Sequence, residues 1–264
     1  MTNVEVSTRT VRRADGTSIR YTASGPATGP TWVHIHGLGC RRTDFTEVTA
    51  FLPADHRVIA VDLAGHGDST SDRTTWSMRE FAEDVAAVTD VESVERCVVV
   101  GHSLGGVVAV ELARLRPDLV SQVIGLDAFH YLTLYPAIEE TAARALVQTF
   151  EADFAAGMRG LVNAGSVPDT DPAFTEETFR KMTGIAPSVG TSTLAEMLRW
   201  NMDEALLDIG TPVSTLAVRA LLDPEAVQRY GDQITFVVHD LGSHHFHVEQ
   251  PEATAKLLLA ERID

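Results

Sequence analysis

The chain has 264 residues, 44% of them hydrophobic and 22% charged, with 37 acidic against 21 basic side chains and a net charge of −16. This balance excludes disordered and fibrous classes, and the carboxylate excess argues against nucleic acid or an anionic membrane as partner, because phosphates reward lysine and arginine. Two cysteines, Cys40 and Cys97, are too few for a disulfide framework of the secreted type.

Met1 to Glu5 shows no basic stretch leading into an apolar run, and no segment approaches the roughly 20 apolar residues of a membrane-spanning helix. A cytoplasmic protein is the expectation. Residues 4–12 and 17–24 flank the turn signal Ala14-Asp15-Gly16 and predict a hairpin. Short β-branched runs then alternate with helical stretches: Thr31–His36, Arg57–Asp62, Cys97–Gly101, Gln122–Asp127, Val213–Ala220 and Ile234–His239. Runs such as Val58-Ile59-Ala60-Val61 and Val98-Val99-Val100 are apolar throughout, as strands covered on both faces must be. The alternation predicts parallel βαβ crossovers in an α/β fold.

The third run ends in His34-Ile35-His36-Gly37-Leu38-Gly39, a glycine-flexed loop that can present the Leu38 backbone N–H. His34 and His36 share a strand face, a spacing open to a metal pair but without further ligands at a recognised spacing. Cys40 follows and reads as packing. Arg41 and Arg42 are open to an anionic substrate or to plain solvation. Asp62 and His66 read as stabilisers of the loop after the fourth strand.

Gly101-His102-Ser103-Leu104-Gly105 follows the fifth strand and precedes a helix expected from Gly106 to Arg116. This strand–turn–helix context is what a G-x-S-x-G nucleophile elbow requires. The sharp turn strains the serine backbone and needs small neighbours. It exposes the Ser103 hydroxyl and aims the Leu104 N–H, at a helix N-terminus, where an oxyanion would form.

Strand runs stop between Phe129 and Gly210. Helical spacing of Leu194, Met197, Leu198, Met202 and Leu206, with Thr193 and Glu196 as a capping box, predicts a helix there, and another is expected near Glu139–Phe154. Gly165–Pro172 separates the two. The segment 129–210 is read as a helical cap over the sheet's C-terminal edge, where ligands of open α/β sheets bind. After the last strand, Gly242-Ser243-His244-His245-Phe246-His247 supplies a histidine base for Ser103, with His244 preferred and His245 second. The cluster His239, Asp240, His244, His245 and His247 is also open to a metal reading, which the serine elbow disfavours.

These motifs, with Asp62-Leu63-Ala64-Gly65-His66-Gly67-Asp68-Ser69 and Glu249-Gln250-Pro251, resemble the α/β-hydrolase superfamily over almost the whole chain. The resemblance implies a mostly parallel, eight-stranded sheet flanked by helices (1–128 and 211–264), a helical cap inserted after the sixth strand, and a Ser–His–acid triad. It implies two places for the acid: after the seventh strand, where Asp223 matches, or after the sixth, where Asp127 matches. Asp127 is preferred, because Asp223 precedes Pro224 with a short loop to the last strand. Leu38 and Leu104 form the oxyanion hole. His36, Gly37, His102, Phe129, His130 and Trp200 are assigned to substrate contact, with Tyr131, Met197 and Met202 as further candidates. The expected function is cleavage of an ester or lactone of a hydrophobic small molecule through an acyl-enzyme, without cofactor or metal, by a monomer or homodimer. A cofactor-independent oxygenase using a His–Asp dyad and a non-catalytic ligand-binding protein are the alternatives.

Overall fold

The apolar runs assemble into one eight-stranded sheet whose central strands are buried on both faces. The computed structural model describes residues 7–130, 138–207 and 209–263. Residues 4–6 of the expected first strand, and Tyr131, lie outside the described residues. Strands β1 (Ser7–Arg12) and β2 (Ser18–Ser24) form the expected hairpin, followed by β3 (Thr31–Ile35), β4 (Arg57–Val61), β5 (Cys97–His102), β6 (Val120–Leu126), β7 (Val213–Val218) and β8 (Ile234–His239). Their spatial order is β1-β2-β4-β3-β5-β6-β7-β8. β2 pairs antiparallel with both β1 and β4, and all later pairs are parallel.

Helices α1 (Thr46–Ala50), α2 (Met78–Val91) and α3 (Leu104–Leu115) lie within the crossovers up to β6. Between β6 and β7 come α4 (Glu140–Ala152), α5 (Phe154–Ala164), α6 (Pro172–Met182), α7 (Pro187–Arg199) and α8 (Met202–Leu206). The chain then adds α9 (Pro224–Tyr230), α10 (Phe246–Glu249) and α11 (Pro251–Glu261). Alternation of side chains along each strand splits the apolar runs between two cores. Val33, Ile35, Ile59, Val61 and Val99 pack with Phe81, Val85 and Val108 of α2 and α3. Trp32, Val58, Val98, Val100 and Ile124 pack instead with Phe45, Val48, Phe246 and Leu258.

Two expected helix boundaries differ. Thr193 and Glu196 do not cap a helix start. Thr193 is buried inside α7, which begins at Pro187, where the missing N–H costs nothing. The periodic run to Leu206 is also broken: α7 stops before Trp200, and the Asn201 side chain accepts from the Glu204 N–H to start α8. Met197 and Met202 are buried in the first core, so they pack the inserted helices rather than stand free as a pocket lining.

The buried charges of the core are paired. Glu92, at the end of α2, accepts from Tyr21 Oη at 2.6 Å, from Arg9 at 2.6 Å and from Arg57, whose other nitrogen donates to the Glu92 carbonyl at 3.0 Å. Burial would raise the Glu92 pKa, but the bonds from Tyr21 and Arg9 hold it below the usual carboxylate value. Breaking one side of such a group leaves an uncompensated buried cation. Glu92→Gln is expected to cost about 3–5 kcal/mol in a denaturant titration, whereas a loss under about 1 kcal/mol would show that Arg57 finds other solvation.

Candidate active site

Ser103 sits between the last residue of β5 and the first of α3 with φ 51° and ψ −117°, a strained conformation for a residue with a side chain. Its neighbours explain how the turn closes. A Cβ on Gly101 would stand 2.2 Å from the Gly105 carbonyl oxygen, and one on Gly105 would stand 2.2 Å from that of Ile35. Neither position admits a side chain, so α3 approaches β3 and β5 backbone to backbone. Ser103 keeps partial exposure while the residues on either side are buried.

The loop after β3 reaches the same point. A Cβ on Gly37 would lie 3.2 Å from that of Ser103. The Gly37 carbonyl accepts from His36 Nδ1 at 2.7 Å and from the Cys40 N–H at 3.1 Å, and His36 Nε2 accepts from the Leu63 N–H at 3.0 Å. Because a trans peptide points its C=O and N–H in opposite directions, anchoring this carbonyl turns the Leu38 N–H away from the His36 side. Leu104 is the first residue of α3, and its N–H belongs to the first turn, which has no partner within the helix.

Asp127, at the end of β6, and His244, in the loop after β8, meet at 2.7 Å between Oδ2 and Nδ1. Asp127 is fully buried; its Oδ1 accepts from the Val218 N–H at 2.9 Å and lies 2.9 Å from His130 Nε2. Burial alone would raise the carboxyl pKa, but the bonds from His130 and His244 outweigh it and draw the group down to about 2. With Nδ1 donating, Nε2 is the ring nitrogen of a neutral His244 that carries the lone pair. The loop itself is fastened by Glu249, whose Oε2 accepts from both the N–H and the hydroxyl of Ser243 at 2.7 and 2.5 Å. The backbone N–H of His244 donates to the Gly165 carbonyl, in the turn between α5 and α6, at 2.8 Å.

Asp223 is placed differently. It caps α9, its Oδ1 accepting from the Glu225 N–H at 2.9 Å, and it is not bonded to His244. His245, the second choice of base, is buried with Nε2 3.7 Å from Cys40 Sγ. Cys40, His102 and His245 bring donor atoms within 4.8 Å of one another. Within this set His102 Nε2 is engaged with the His244 carbonyl at 3.0 Å, and burial raises the Cys40 thiol to about 12.

Several residues assigned to substrate contact are committed elsewhere. His36 is buried and spends both ring nitrogens on the loop backbone. His102 is buried behind Ser103 with its ring 4.6 Å from that of His244. Phe129 is buried, and its ring packs where side chains on Gly106 and Gly125 would go. His130 is buried beside the Asp127 carboxylate, and Trp200 donates its Nε1 to Glu111 on α3 at 2.9 Å. Gly37 lies against Ser103. His34 in β3 packs on Phe45, and His36, just past the strand's end, packs on His66, so the two histidines hold separate aromatic partners. Asp62 accepts from the Arg42 N–H and guanidinium and from the Asp68 N–H, which makes Arg42 a brace of this loop rather than a substrate contact. Glu249 and the Gly165 carbonyl were not expected from the motifs; only the placement of Glu249 beside Gln250-Pro251 hinted at the first.

Comparisons with known proteins bear on the family and the fold. A model of the alpha/beta hydrolase family matches residues 32–257. An uncharacterized protein of Mycobacterium tuberculosis is 40% identical over 100 residues, which span 38% of this chain and 29% of that protein. Curated relatives of this kind are thus matched over less than a third of their length. The 2-(acetamidomethylene)succinate hydrolase of Mesorhizobium japonicum is 28% identical over 94% of this chain and 93% of its own. The solved structure of a thermophilic esterase from Thermogutta terrifontis superposes with a TM-score of 0.81 at 21% identity, covering 97% of each chain. Among the described residues no helix is long and apolar enough to cross a membrane.

Two outcomes follow from the burial in this region. Cys40 and Cys97 are buried with thiols raised to about 12, so DTNB should titrate neither in the folded protein and both after denaturation. A rapidly reacting Cys40 would show that its thiol is reached by solvent and that it does more than pack. Burial also pushes His34, His66 and His247 down to about 3. Below pH about 6.5 the unfolded chain then binds protons that the folded chain refuses, and stability is lost as pH falls towards 3. The thermal midpoint should therefore drop between pH 7 and 5; an unchanged or rising midpoint would mean these imidazoles protonate in place.

Proposed function

Because the chain belongs to the α/β-hydrolase family, we propose that it is a serine hydrolase cleaving an ester or lactone through an acyl-enzyme, with Ser103 as nucleophile, His244 as base and Asp127 as the acid. The observation that carries this reading is the buried 2.7 Å bond between Asp127 Oδ2 and His244 Nδ1, set beside a strained Ser103 at a strand–helix turn. The names of the Mesorhizobium hydrolase and the Thermogutta esterase support the reaction class.

In the proposed sequence, His244 Nε2 takes the Ser103 hydroxyl proton as Oγ attacks the carbonyl carbon. The oxyanion that forms is held by the N–H groups of Leu38 and Leu104. As the tetrahedral intermediate collapses, His244 returns the proton to the leaving oxygen, which departs as an alcohol or, from a lactone, stays as a hydroxyl on the acyl group. Water then gives a proton to His244 and attacks the acyl-enzyme, and the proton passes back to Ser103 as the acid is released. Asp127 fixes the tautomer of His244 and stabilises its cation, a role that leaves the carboxylate ionised.

Helices α4–α8 act in this reading as the cap. Their contacts with the machinery support it: Gly165 with His244, and Lys181 of α6 with Asp44, just past the oxyanion loop, at 3.0 Å. The substrate proposed is a hydrophobic small molecule. Ser103→Ala should abolish both the burst of p-nitrophenol from an activated ester and labelling by a fluorophosphonate. Asp127→Asn should lower kcat by about 10⁴-fold, while Asp223→Asn stays near the parent. The reverse order would move the acid to Asp223. Oxygen consumption that survives Ser103→Ala and fails in His244→Ala would replace the hydrolase with an oxygenase.

A further inference from the structure

We infer that His102 is a positioning residue that sets the separation of Ser103 and His244, by tying the residue before the serine to the backbone of the base. The inference rests on the catalytic roles proposed above. His102 ends β5 and is 1% exposed, and its Nε2 lies 3.0 Å from the His244 carbonyl oxygen, 142 residues further along the chain. A carbonyl only accepts, so Nε2 carries the proton and Nδ1 the lone pair. Nδ1 has no hydrogen-bond partner and faces Gly37, where a Cβ would come within 2.8 Å of it. The ring is enclosed by those of His244, His245 and His247, with centroids 4.6, 4.9 and 4.4 Å away. Burial, and the cost of charge beside these imidazoles, keep His102 neutral.

The His244 backbone is therefore held at both polar groups, its N–H by Gly165 and its carbonyl by His102, while Asp127 holds its ring. Ser103 is covalently joined to His102, so the donor that fixes the base moves with the nucleophile. A rigid link of this kind matters because misplacing a catalytic group by about 1 Å can cost about 100-fold in rate.

The test compares His102→Leu, which keeps bulk without a donor, with His102→Gln, whose amide nitrogen stands the same number of bonds from Cβ and can donate. Hydrolysis of p-nitrophenyl acetate is measured as kcat and KM separately. His102→Leu should lose about 10- to 100-fold in kcat with KM changed less than about threefold, and His102→Gln should return to within about fivefold of the parent. A His102→Leu enzyme with kcat within about twofold of the parent overturns the inference, as does a His102→Gln enzyme that falls as far as His102→Leu. Should His102→Leu fail to fold, His102→Asn, whose shorter amide cannot reach the carbonyl, is judged by the same criteria. Ser103→Ala and His244→Ala run in parallel. Activity surviving in either sinks the catalytic roles themselves, whereas loss in both beside an unaffected His102→Leu sinks this inference alone.

Discussion

Around Ser103 three pieces of main chain come closer together than any side chain would allow. The end of β3, the end of β5 and the start of α3 converge where Gly101 and Gly105 lack a Cβ, and a methyl group on either would sit 2.2 Å from a backbone oxygen. That approach forces Ser103 into its positive φ and starts α3 at the very next residue. It also brings the Gly37 loop against the serine, so the N–H groups of Leu38 and Leu104 come from two elements that are rigid for the same steric reason. The strain is local, and the two cores on either side of the sheet over-determine it.

Burial sets the state of five histidines around these elements. His34, His66, His102, His245 and His247 are all held neutral by burial, and they serve as hydrogen-bonding or packing groups. Asp127 lies against His130 and His244, and of these two His244 stands in the loop fastened to the inserted helices. The carboxylate is held ionised by those contacts despite its complete burial. A low-dielectric setting strengthens such a charge–imidazole pair and makes an unpaired charge costly, which accounts for the close pairing of Glu92 and Asp62 elsewhere in the fold.

Much of the fold was legible because the central strands are short, β-branched and buried, so that Val58–Val61 and Val98–Val100 carry their own signal. The ends of α7 and α8 were not. The break at Trp200 coincides with a contact to Glu111, 89 residues earlier, which no local periodicity reports. The choice between Asp127 and Asp223 could have been sharpened from sequence: Asp223 followed by Pro224 is a helix N-cap signature, and the structure spends that carboxylate on the Glu225 N–H. The commitments of His36, His102 and His130 were hidden for a different reason. Each rests on a backbone atom or a carboxylate brought close by the turns themselves, and residue type alone does not distinguish such a partner from a substrate.

The helices between β6 and β7 touch the two loops that meet at Ser103. Gly165 supplies a main-chain acceptor to His244, Met182 rests where a side chain on Gly39 would have to go, and Lys181 pairs with Asp44. The segment between β6 and β7 is accordingly not an interchangeable cassette. A foreign insertion grafted there would have to reproduce one carbonyl and one cation in register, or the transplant would unfasten His244 and the Asp44 loop together. Between α4 and α7, Glu140, Arg144 and Arg199 line a groove of about 230 Å³, a part of the segment that none of these three anchors uses.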